Sequence, residues 1–276
     1  MNNTLFFSYL TGLIEGDGTI YVPLTHRNSK GKINYPNIQI SFSKPDYVLA
    51  LTIQKTLKTG SIHKKKKASA YVYTINSPTS LQKLIPLLSP YWRTPKINKF
   101  NLLAEYYGIS PVKIDQTNLL NNAWLSGFIE ADGSFYVRYL TKTEKTEAQF
   151  MLEQREKDVS GGSLESIMSE IAEKLEVNLK KTNRISKNST YRIRTTSLRT
   201  NKILIKYLTK YPLWGEKYLN FKSFEEVVKL FERKEHLKSG GKEIIIRLKE
   251  QMNTKRTFYN WDHLSDFYKI EYDDKI

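Results

Sequence analysis

Residues 10–18 read LTGLIEGDG, and residues 125–133 read LSGFIEADG. Six of the nine positions are identical, and the two copies lie 115 residues apart. An aromatic residue precedes each copy, Tyr9 and Trp124, and a short segment of strand-forming residues follows each of them. Internal similarity at a fixed period indicates that the chain is built from two related halves.

The small residues inside each copy predict that two helices pack closely together. Gly12 and Gly16 are four positions apart and therefore lie on one face of a helix, as do Gly127 and Ala131 in the second copy. Small residues at this spacing allow two helix backbones to approach each other. We therefore expect the two motif helices to lie side by side and parallel.

The end of each copy predicts where an anion would sit. Gly18 and Gly133 are suited to a left-handed backbone conformation that stops a helix. Asp17 and Asp132 would then lie at helix C-termini, where the helix dipole disfavours negative charge. Two carboxylates at neighbouring helix ends repel each other, and a bound divalent cation would compensate them. The motif therefore predicts a metal site that uses both aspartates.

The rest of each half continues the repeat with an α-β-β-α-β-β-α pattern. In the first half we predict strands at 19–22 and 37–42, a helix at 47–57, a hairpin of 61–67 with 71–76, and a helix at 80–88. In the second half the matching segments are 134–137, 148–152, 163–175, 179–185 with 191–196, and 201–208. The predicted domains are 1–106, a linker at 107–122, and 123–276, whose end carries a helical extension on the outside of the second half.

Composition restricts the partner and the chemistry. The chain has 276 residues, 44 Lys plus Arg against 28 Asp plus Glu, and a net charge of +16. Such an excess favours a nucleic-acid partner over an anionic membrane or a merely solubilising surface. The absence of cysteine excludes disulfides, thiolate catalysis and cysteine-ligated zinc. The first residues form neither a signal peptide nor an Arg-rich transit peptide, and no apolar run is long enough for a membrane span.

The two copies and the element order around them resemble the double-motif, single-chain LAGLIDADG homing endonucleases. This resemblance covers almost the whole chain. It implies an α+β fold of two pseudo-symmetric halves, each with a saddle-shaped antiparallel sheet lying over the DNA major groove. The halves would be packed through the two central motif helices.

The resemblance also implies the roles of several residues. Asp17 and Asp132 match the metal-ligating acids of the family, and Gly16 and Ala131 match the position whose carbonyl lies near the metal. The preceding acids, Glu15 and Glu130, match a position with a structural role. The segments 91–96 and 211–217 follow the last predicted helix of their halves, and both contain Tyr, Trp, Pro and Lys. Matching them identifies Lys96 and Lys217 as the basic residues that the family places near the scissile phosphates. The residues that order water near the metal are predicted to be Asp46 in the first half and Gln154 or Arg155 in the second.

Strand alternation predicts which side chains face the DNA. Ile20, Val22 and Leu24 would point into the core of the first half, as Phe135, Val137 and Tyr139 would in the second. The predicted DNA-contacting residues of the first half are Thr19, Tyr21, Thr25, Asn37, Gln39, Ser41, Lys64, Lys65, Lys66 and Lys67. Those of the second half are Ser134, Tyr136, Arg138, Lys142, Arg192 and Arg194. A register error of one residue would exchange the two faces.

The function implied by the resemblance is site-specific hydrolysis of one phosphodiester in each strand of a long double-stranded DNA target. Mg²⁺ is the expected cofactor; Mn²⁺ should substitute, and Ca²⁺ should bind but support little cleavage. Two alternatives of the same fold stay open: an intron RNA maturase and a non-cleaving DNA-binding protein. Retention of both motif aspartates favours the nuclease. We expect a monomer without membrane association, in an organelle, with the mitochondrion favoured over the chloroplast by family habit and by the many residues with AT-rich codons.

Overall fold

The computed structural model describes residues 2–66, 68–140, 142–184 and 187–267, so the predicted DNA contact Lys67 lies outside the described residues. The chain folds into two compact units. One comprises Met1–Ala131, Asp158–Gly162 and Leu264–Ile276, and the other comprises Asp132–Lys157 and Ser163–His263. By its contacts, the second motif helix up to Ala131 belongs to the first unit. The predicted domain boundaries stay a prediction.

The first half contains two helix-strand-strand repeats followed by two helices. Its elements are α1 (Asn2–Asp17), β1 (Gly18–Tyr21), β2 (Asn37–Ser43), α2 (Tyr47–Leu57), β3 (Ser61–Lys64), β4 (Ala70–Ile75), α3 (Pro78–Leu88) and α4 (Ile97–Tyr106). The strands form an antiparallel sheet in the order β1-β2-β4-β3. Ile20, Ile38, Ile40 and Phe42 are buried beneath it, as the alternation predicts.

The second half repeats this order. Its elements are α5 (Trp124–Asp132), β5 (Gly133–Leu140), β6 (Lys145–Arg155), α6 (Glu165–Lys174), β7 (Lys180–Arg184), β8 (Lys187–Thr195), α7 (Leu198–Lys210), α8 (Glu216–Glu232) and α9 (Ser239–Glu250). The antiparallel sheet has the equivalent order β5-β6-β8-β7. Phe135 packs against Phe150, Phe221 and Phe224, with ring centroids 5.3–5.5 Å apart. The predicted α+β class with two matching halves is confirmed.

The two motif helices cross at their glycines. A Cβ on Gly12 would lie 2.0 Å from the Trp124 carbonyl oxygen, and a Cβ on Gly127 would lie 1.9 Å from the Tyr9 carbonyl oxygen. The amide of Ala123 donates to the Ser8 hydroxyl at 3.1 Å, so contacts advance along both helices in the same direction. The predicted close, parallel helix pair is therefore confirmed for the described part of the first unit.

The glycines that follow the motif aspartates do not adopt the predicted left-handed conformation. Gly18 and Gly133 are the first residues of β1 and β5, and neither has a positive φ. The chain passes directly from helix to strand at both sites. At Gly18 a Cβ would lie 2.6 Å from the Ile14 carbonyl oxygen, so this glycine is required by the close approach of the preceding helical turn.

Two helices, α3 and α7, begin earlier than hydrophobic periodicity predicts. Ser77 accepts a hydrogen bond from the Ser80 amide and caps α3, and Ser197 caps α7 through the Thr200 amide. Serine is a favoured N-cap because its hydroxyl satisfies an otherwise unpaired backbone N–H. The helices α4 and α8 were not predicted, so each half has one helix more than the expected pattern.

Two other predictions about packing need correction. Leu24 is fully exposed because β1 ends at Tyr21, and strand alternation no longer applies beyond that residue. The C-terminal extension was expected to pack on the outside of the second half. Its helix α9 does belong to the second unit, but Phe267 packs edge-on against Phe6 and Tyr9 of α1, at 5.7 and 6.4 Å.

Candidate active site and nucleic-acid surface

The two motif aspartates are exposed at the last residues of α1 and α5. Among the described residues, no three or more His, Asp or Glu side chains are grouped so that they could hold a metal ion. Each helix end offers the carboxylate of its last residue together with the main-chain carbonyls of the last turn. Oxygen donors of this kind suit Mg²⁺ or Ca²⁺, which commonly complete their coordination with water and phosphate oxygens.

Lys96 reaches the C-terminal end of the first motif helix. It is the N-cap residue of α4, and its half-buried side chain extends to the end of α1. The ammonium donates to the carbonyl oxygens of Gly18 at 2.7 Å and Ile14 at 2.9 Å, with a longer contact to Gly16 at 3.4 Å. A positive charge here offsets the helix dipole next to Asp17. The C-terminal end of α1 is thus already a site that binds a cation through carbonyl oxygens.

Gln154 contacts the aspartate of the second half. Its Nε2 donates to Asp132 Oδ2 at 2.7 Å, which fixes the orientation of an otherwise exposed carboxylate. The strand register places Gln154 two residues beyond Leu152, the partner of Gly133, whereas the matching position beyond Ile40 is Phe42. The two halves therefore have chemically different residues at this strand position, an amide in the second and a phenyl ring in the first.

The other two predicted water-ordering residues occupy different positions. Asp46 lies in the turn before α2, where its carboxylate accepts a hydrogen bond from the Ser43 hydroxyl at 2.9 Å. Arg155 is exposed at the last residue of β6. Asp46 lies beyond the end of β2 and Arg155 directly follows Gln154 in β6, so neither occupies the strand position of Gln154. Their roles stay predictions.

Glu15 joins three segments of the first unit. Its carboxylate accepts hydrogen bonds from the amides of Arg93 and Thr94 at 3.1 and 2.6 Å, and from Trp124 Nε1 at 2.5 Å. Burial raises the pKa of Glu15 from 4.5 to about 7, although these donors favour the ionised form. The phrase that carries Lys96 is thereby tied to both motif helices.

The aromatic residues before the two motifs make reciprocal contacts. Trp124 donates to Glu15 of α1, and the Tyr9 hydroxyl donates to Glu130 of α5 at 3.1 Å. Both glutamates are buried, which makes each hydrogen bond costly to lose. The resemblance implied a structural role for these acids, and the contacts explain it: each acid binds the aromatic residue of the other motif helix.

Arg93 and Asp115 were missed by the sequence interpretation. The Arg93 guanidinium forms a buried ion pair with Asp115 at 2.6 Å and also donates to the Thr117 carbonyl at 2.8 Å. The amide of Asp115 donates to the Trp92 carbonyl at 2.8 Å. Residues 115–117, which follow α4, are thus bound to residues 92–93, which precede it. No pattern in the sequence indicates this pair, because its members lie 22 positions apart on opposite sides of α4.

Lys217 lies in the first turn of α8, two residues after the N-cap residue Gly215, and its side chain is half-buried. Lys96 occupies a comparable place directly before α4. Both lysines therefore start the helix that follows the aromatic phrase of their half. This common position supports the comparison that identified them, while their catalytic role stays a prediction.

The predicted DNA-contacting side chains lie on the exposed faces of the two sheets or in adjoining turns. Each one that the structure describes is exposed or half-buried. Some also make contacts within the sheet: Arg192 forms an ion pair with Glu153 at 2.7 Å, and the Gln39 amide donates to Asn37 at 2.9 Å. These side chains are held in fixed orientations, which suits the recognition of base edges.

The described helices include none that is both long and apolar enough to cross a bilayer.

Comparison with known proteins agrees with this architecture. The profile of the LAGLIDADG endonuclease family matches residues 10–107 and 125–228. Intron-encoded DNA endonuclease aI3 of Saccharomyces cerevisiae is 28% identical across 94% of this chain and 72% of its own length. Intron-encoded RNA maturase bI4 of the same organism is 28% identical across 51% of this chain and 21% of its own length.

Solved structures show the same fold. The structure of the I-LtrWI LAGLIDADG homing endonuclease bound to target DNA superposes with a TM-score of 0.69 at 21% identity, covering 92% of this chain and 99% of that one. At this identity the likeness establishes the fold. The family profile covers well over half of the sequence and includes both motif helices. The chain therefore belongs to the LAGLIDADG endonuclease family.

Proposed function

We propose that this protein is a site-specific homing endonuclease that binds a long double-stranded DNA target and hydrolyses one phosphodiester in each strand. The observation that carries the proposal is the pair of parallel motif helices, each ending in an exposed aspartate. A lysine ammonium accompanies one helix end, and a glutamine amide orients the aspartate of the other. A purely structural helix pair would not require exposed acids at both ends.

The chemistry of the helix ends fits a divalent cation. Asp17 and Asp132 would bind it through their carboxylates, and Gly16 and Ala131 through their carbonyl oxygens. The Gly16 carbonyl already faces the Lys96 ammonium, so its oxygen lies in a region that accepts positive charge. Mg²⁺ is the proposed physiological ion, with Mn²⁺ as a substitute and Ca²⁺ as a poor activator. When bound, such an ion polarises a phosphate and lowers the pKa of a coordinated water.

The residues of the chain would then contribute binding, orientation and charge. Gln154 holds the Asp132 carboxylate in one orientation through its 2.7 Å hydrogen bond, and its position would also let it orient a water molecule. Lys96 and Lys217 would stabilise the negative charge that develops on the reacting phosphates. Because Phe42 occupies the strand position of Gln154 in the first half, we expect the two strands to be cut at different rates.

DNA binding would use the exposed faces of both sheets. The side chains Asn37, Gln39, Arg138 and Arg194 are of types that read base edges in the major groove. Lys64, Lys65 and Lys66 are exposed around the turn between β3 and β4, where phosphate contact is expected. Both motifs lie in one chain, so a monomer would suffice for both cuts. The relative aI3 is named as intron-encoded, and we propose an intron-encoded protein of an organelle, with the mitochondrion favoured.

The function is tested with Asp17→Asn and Asp132→Asn. Each substitution removes the charge that binds the ion and keeps the side-chain shape, so both variants should lose double-strand cleavage. Asp266→Asn is the matched control, since this aspartate is also exposed but lies outside the motif helices. The substrate is a supercoiled plasmid that carries a site selected from a randomised duplex library by binding in Ca²⁺. Cleavage is started with Mg²⁺, and affinity is measured separately in Ca²⁺.

The expected result is unchanged affinity, loss of cutting in both motif variants and full activity of Asp266→Asn. Full cutting by Asp17→Asn would remove that residue from the metal site. If the unaltered protein selects and cuts no DNA but binds an intron transcript, the maturase alternative is correct. If it selects DNA and cuts none in Mg²⁺ or Mn²⁺, the non-cleaving DNA-binding alternative is correct.

A further inference from the structure

His263 lies in the C-terminal extension and contacts the turn that carries Lys217. Its imidazole stacks on the Tyr218 ring, with centroids 3.9 Å apart and planes inclined by 15°. Its Nε2 lies 3.0 Å from the Trp214 carbonyl oxygen. Because a carbonyl oxygen only accepts, Nε2 must carry the proton and donate it. The side chain is half-buried. His263 therefore contacts residues on both sides of Lys217 in the sequence, Trp214 before it and Tyr218 directly after it.

The turn that carries Lys217 has no side-chain cap at the start of α8. Gly215 is the N-cap residue of α8, and a glycine provides no side chain to satisfy the first backbone amides of the helix. Lys217 lies two residues further on, before α8 has completed its first turn. Contacts from outside α8 therefore help to orient this turn, and those of His263 with Trp214 and Tyr218 are close and directional.

The aromatic residues around His263 fix its own position. The Trp261 ring lies 5.9 Å from the imidazole and is itself stacked on Tyr259, with centroids 6.1 Å apart and planes inclined by 6°. The Tyr259 hydroxyl donates to the Arg256 carbonyl at 3.3 Å. Burial lowers the pKa of His263, opposed by its hydrogen bond to Trp214 and by the charge of Asp262. The neutral ring retains the Nε2 proton that the contact with Trp214 requires.

In the first half, the tryptophan carbonyl before the lysine accepts a hydrogen bond from a different kind of donor. There the Trp92 carbonyl accepts a hydrogen bond from the Asp115 amide at 2.8 Å, and Lys96 follows four residues later. In the first half a residue after α4 donates to the Trp92 carbonyl, and in the second half a residue after α8 donates to the Trp214 carbonyl. Each tryptophan lies shortly before the lysine of its half. A backbone amide makes the contact in the first half, and a histidine side chain makes it in the second.

We propose that His263 is a positioning residue for Lys217 and thereby sets the rate of cleavage of the one DNA strand that depends on Lys217. The C-terminal extension would then contribute to catalysis in the second half by orienting Lys217. This inference rests on the proposed function, because it assigns to Lys217 a role at a scissile phosphate. His263 itself would touch neither DNA nor metal.

The test compares His263→Ala, His263→Gln and Lys217→Met with the unaltered protein. His236→Ala is the matched control: His236 also lies in the extension, its Nδ1 is 3.4 Å from the Leu230 carbonyl oxygen, and its ring contacts Phe231. Each strand of the selected site is labelled separately, and its cleavage rate is measured in Mg²⁺. Affinity for the same duplex is measured in Ca²⁺.

We expect Lys217→Met and His263→Ala to slow cleavage of the same strand, the latter by roughly tenfold or more, since small misplacements of a catalytic group have effects of this size. The other strand, the affinity and the His236→Ala variant should be unaffected. His263→Gln should recover part of the rate, because its amide can donate to the Trp214 carbonyl.

Different results would separate the two claims. If Lys217→Met slows one strand and His263→Ala slows neither, the inference is wrong and the proposed role of Lys217 stands. If His263→Ala slows both strands equally or weakens binding, the residue only supports the fold. If Lys217→Met changes neither rate, the proposed role of Lys217 fails, and the inference fails with it.

Discussion

The crossing of the two motif helices makes a quantitative prediction for Gly127→Ala. A Cβ on Gly127 would lie 1.9 Å from the Tyr9 carbonyl oxygen and 2.8 Å from the Leu13 amide nitrogen. Ordinary contacts between carbon and oxygen begin at about 3.3 Å. The backbones must therefore separate by roughly 1.4 Å at the crossing, and no side-chain rotation can relieve the overlap because both contacts are with main-chain atoms.

The free energy of this change follows from what the separation disturbs. Overpacking of a close contact costs about 1–3 kcal/mol. The hydrogen bonds from Tyr9 to Glu130 and from Trp124 to Glu15 span the same pair of helices, and weakening a bond to a buried acid costs about 1–3 kcal/mol more. Alanine has a higher helix propensity than glycine by about 1 kcal/mol. The expected net loss of unfolding free energy is about 1–5 kcal/mol.

The control for this prediction is Gly240→Ala in α9. A Cβ on Gly240 would meet no atom within 4 Å, so this substitution should raise the unfolding free energy by up to about 1 kcal/mol. Both variants are measured by urea denaturation of the purified protein, followed by tryptophan fluorescence. A Gly127→Ala protein as stable as the parent would refute the close helix crossing. Equal losses in both variants would show that neither depends on packing.

Three further predictions concern charge and the active site. In the parent protein, Glu15 holds a proton between pH 4.5 and about 7 only in the folded state, because burial raises its pKa. The free energy of unfolding should therefore fall by about 3 kcal/mol as the pH rises through this range. Glu15→Gln should abolish this fall. Denaturation at five pH values tests this, and identical slopes for variant and parent would contradict it. Gln154→Leu should slow cleavage of one strand by at least about tenfold, because the Asp132 carboxylate loses its orienting hydrogen bond; equal slowing of both strands in a strand-resolved assay would argue against the asymmetry of the two sites. Replacing Lys64, Lys65 and Lys66 by serine should weaken binding to cognate and unrelated duplexes alike and reduce the dependence of affinity on salt. A loss confined to the cognate duplex, measured by titration at several salt concentrations, would identify the turn as a base-reading element.

Local patterns in the sequence predicted most of the secondary structure. The 115-residue repeat fixed the two-half organisation, and period-2 alternation identified the buried faces of β1, β2 and β5. The same reasoning failed at Leu24, since alternation predicts burial only while the strand continues. It also missed α4 and α8, the helices that follow the two aromatic segments at 91–96 and 211–217.

The candidate site was predicted only in part. The aspartates were found because they belong to the repeated motif, and Lys96 because the two halves could be compared along their length. The contact of Lys96 with the end of α1 joins residues about 80 positions apart, and no sequence period reports such a distance. Gln154 reaches Asp132 because strand register, and not distance along the chain, decides which side chain of β6 lies beside that aspartate.

The sequence by itself therefore determined the family fold, the basic character of the protein and the two helices that end in Asp17 and Asp132, because each of these is written in local composition or in a repeat. Tertiary structure alone decided which distant groups meet: Glu15 with Arg93, Thr94 and Trp124, and His263 with Trp214. The physical reason is that periodicity records only whether a face is buried. The identity of the partner depends on register, loop length and close backbone approach, which exist only once the segments have packed.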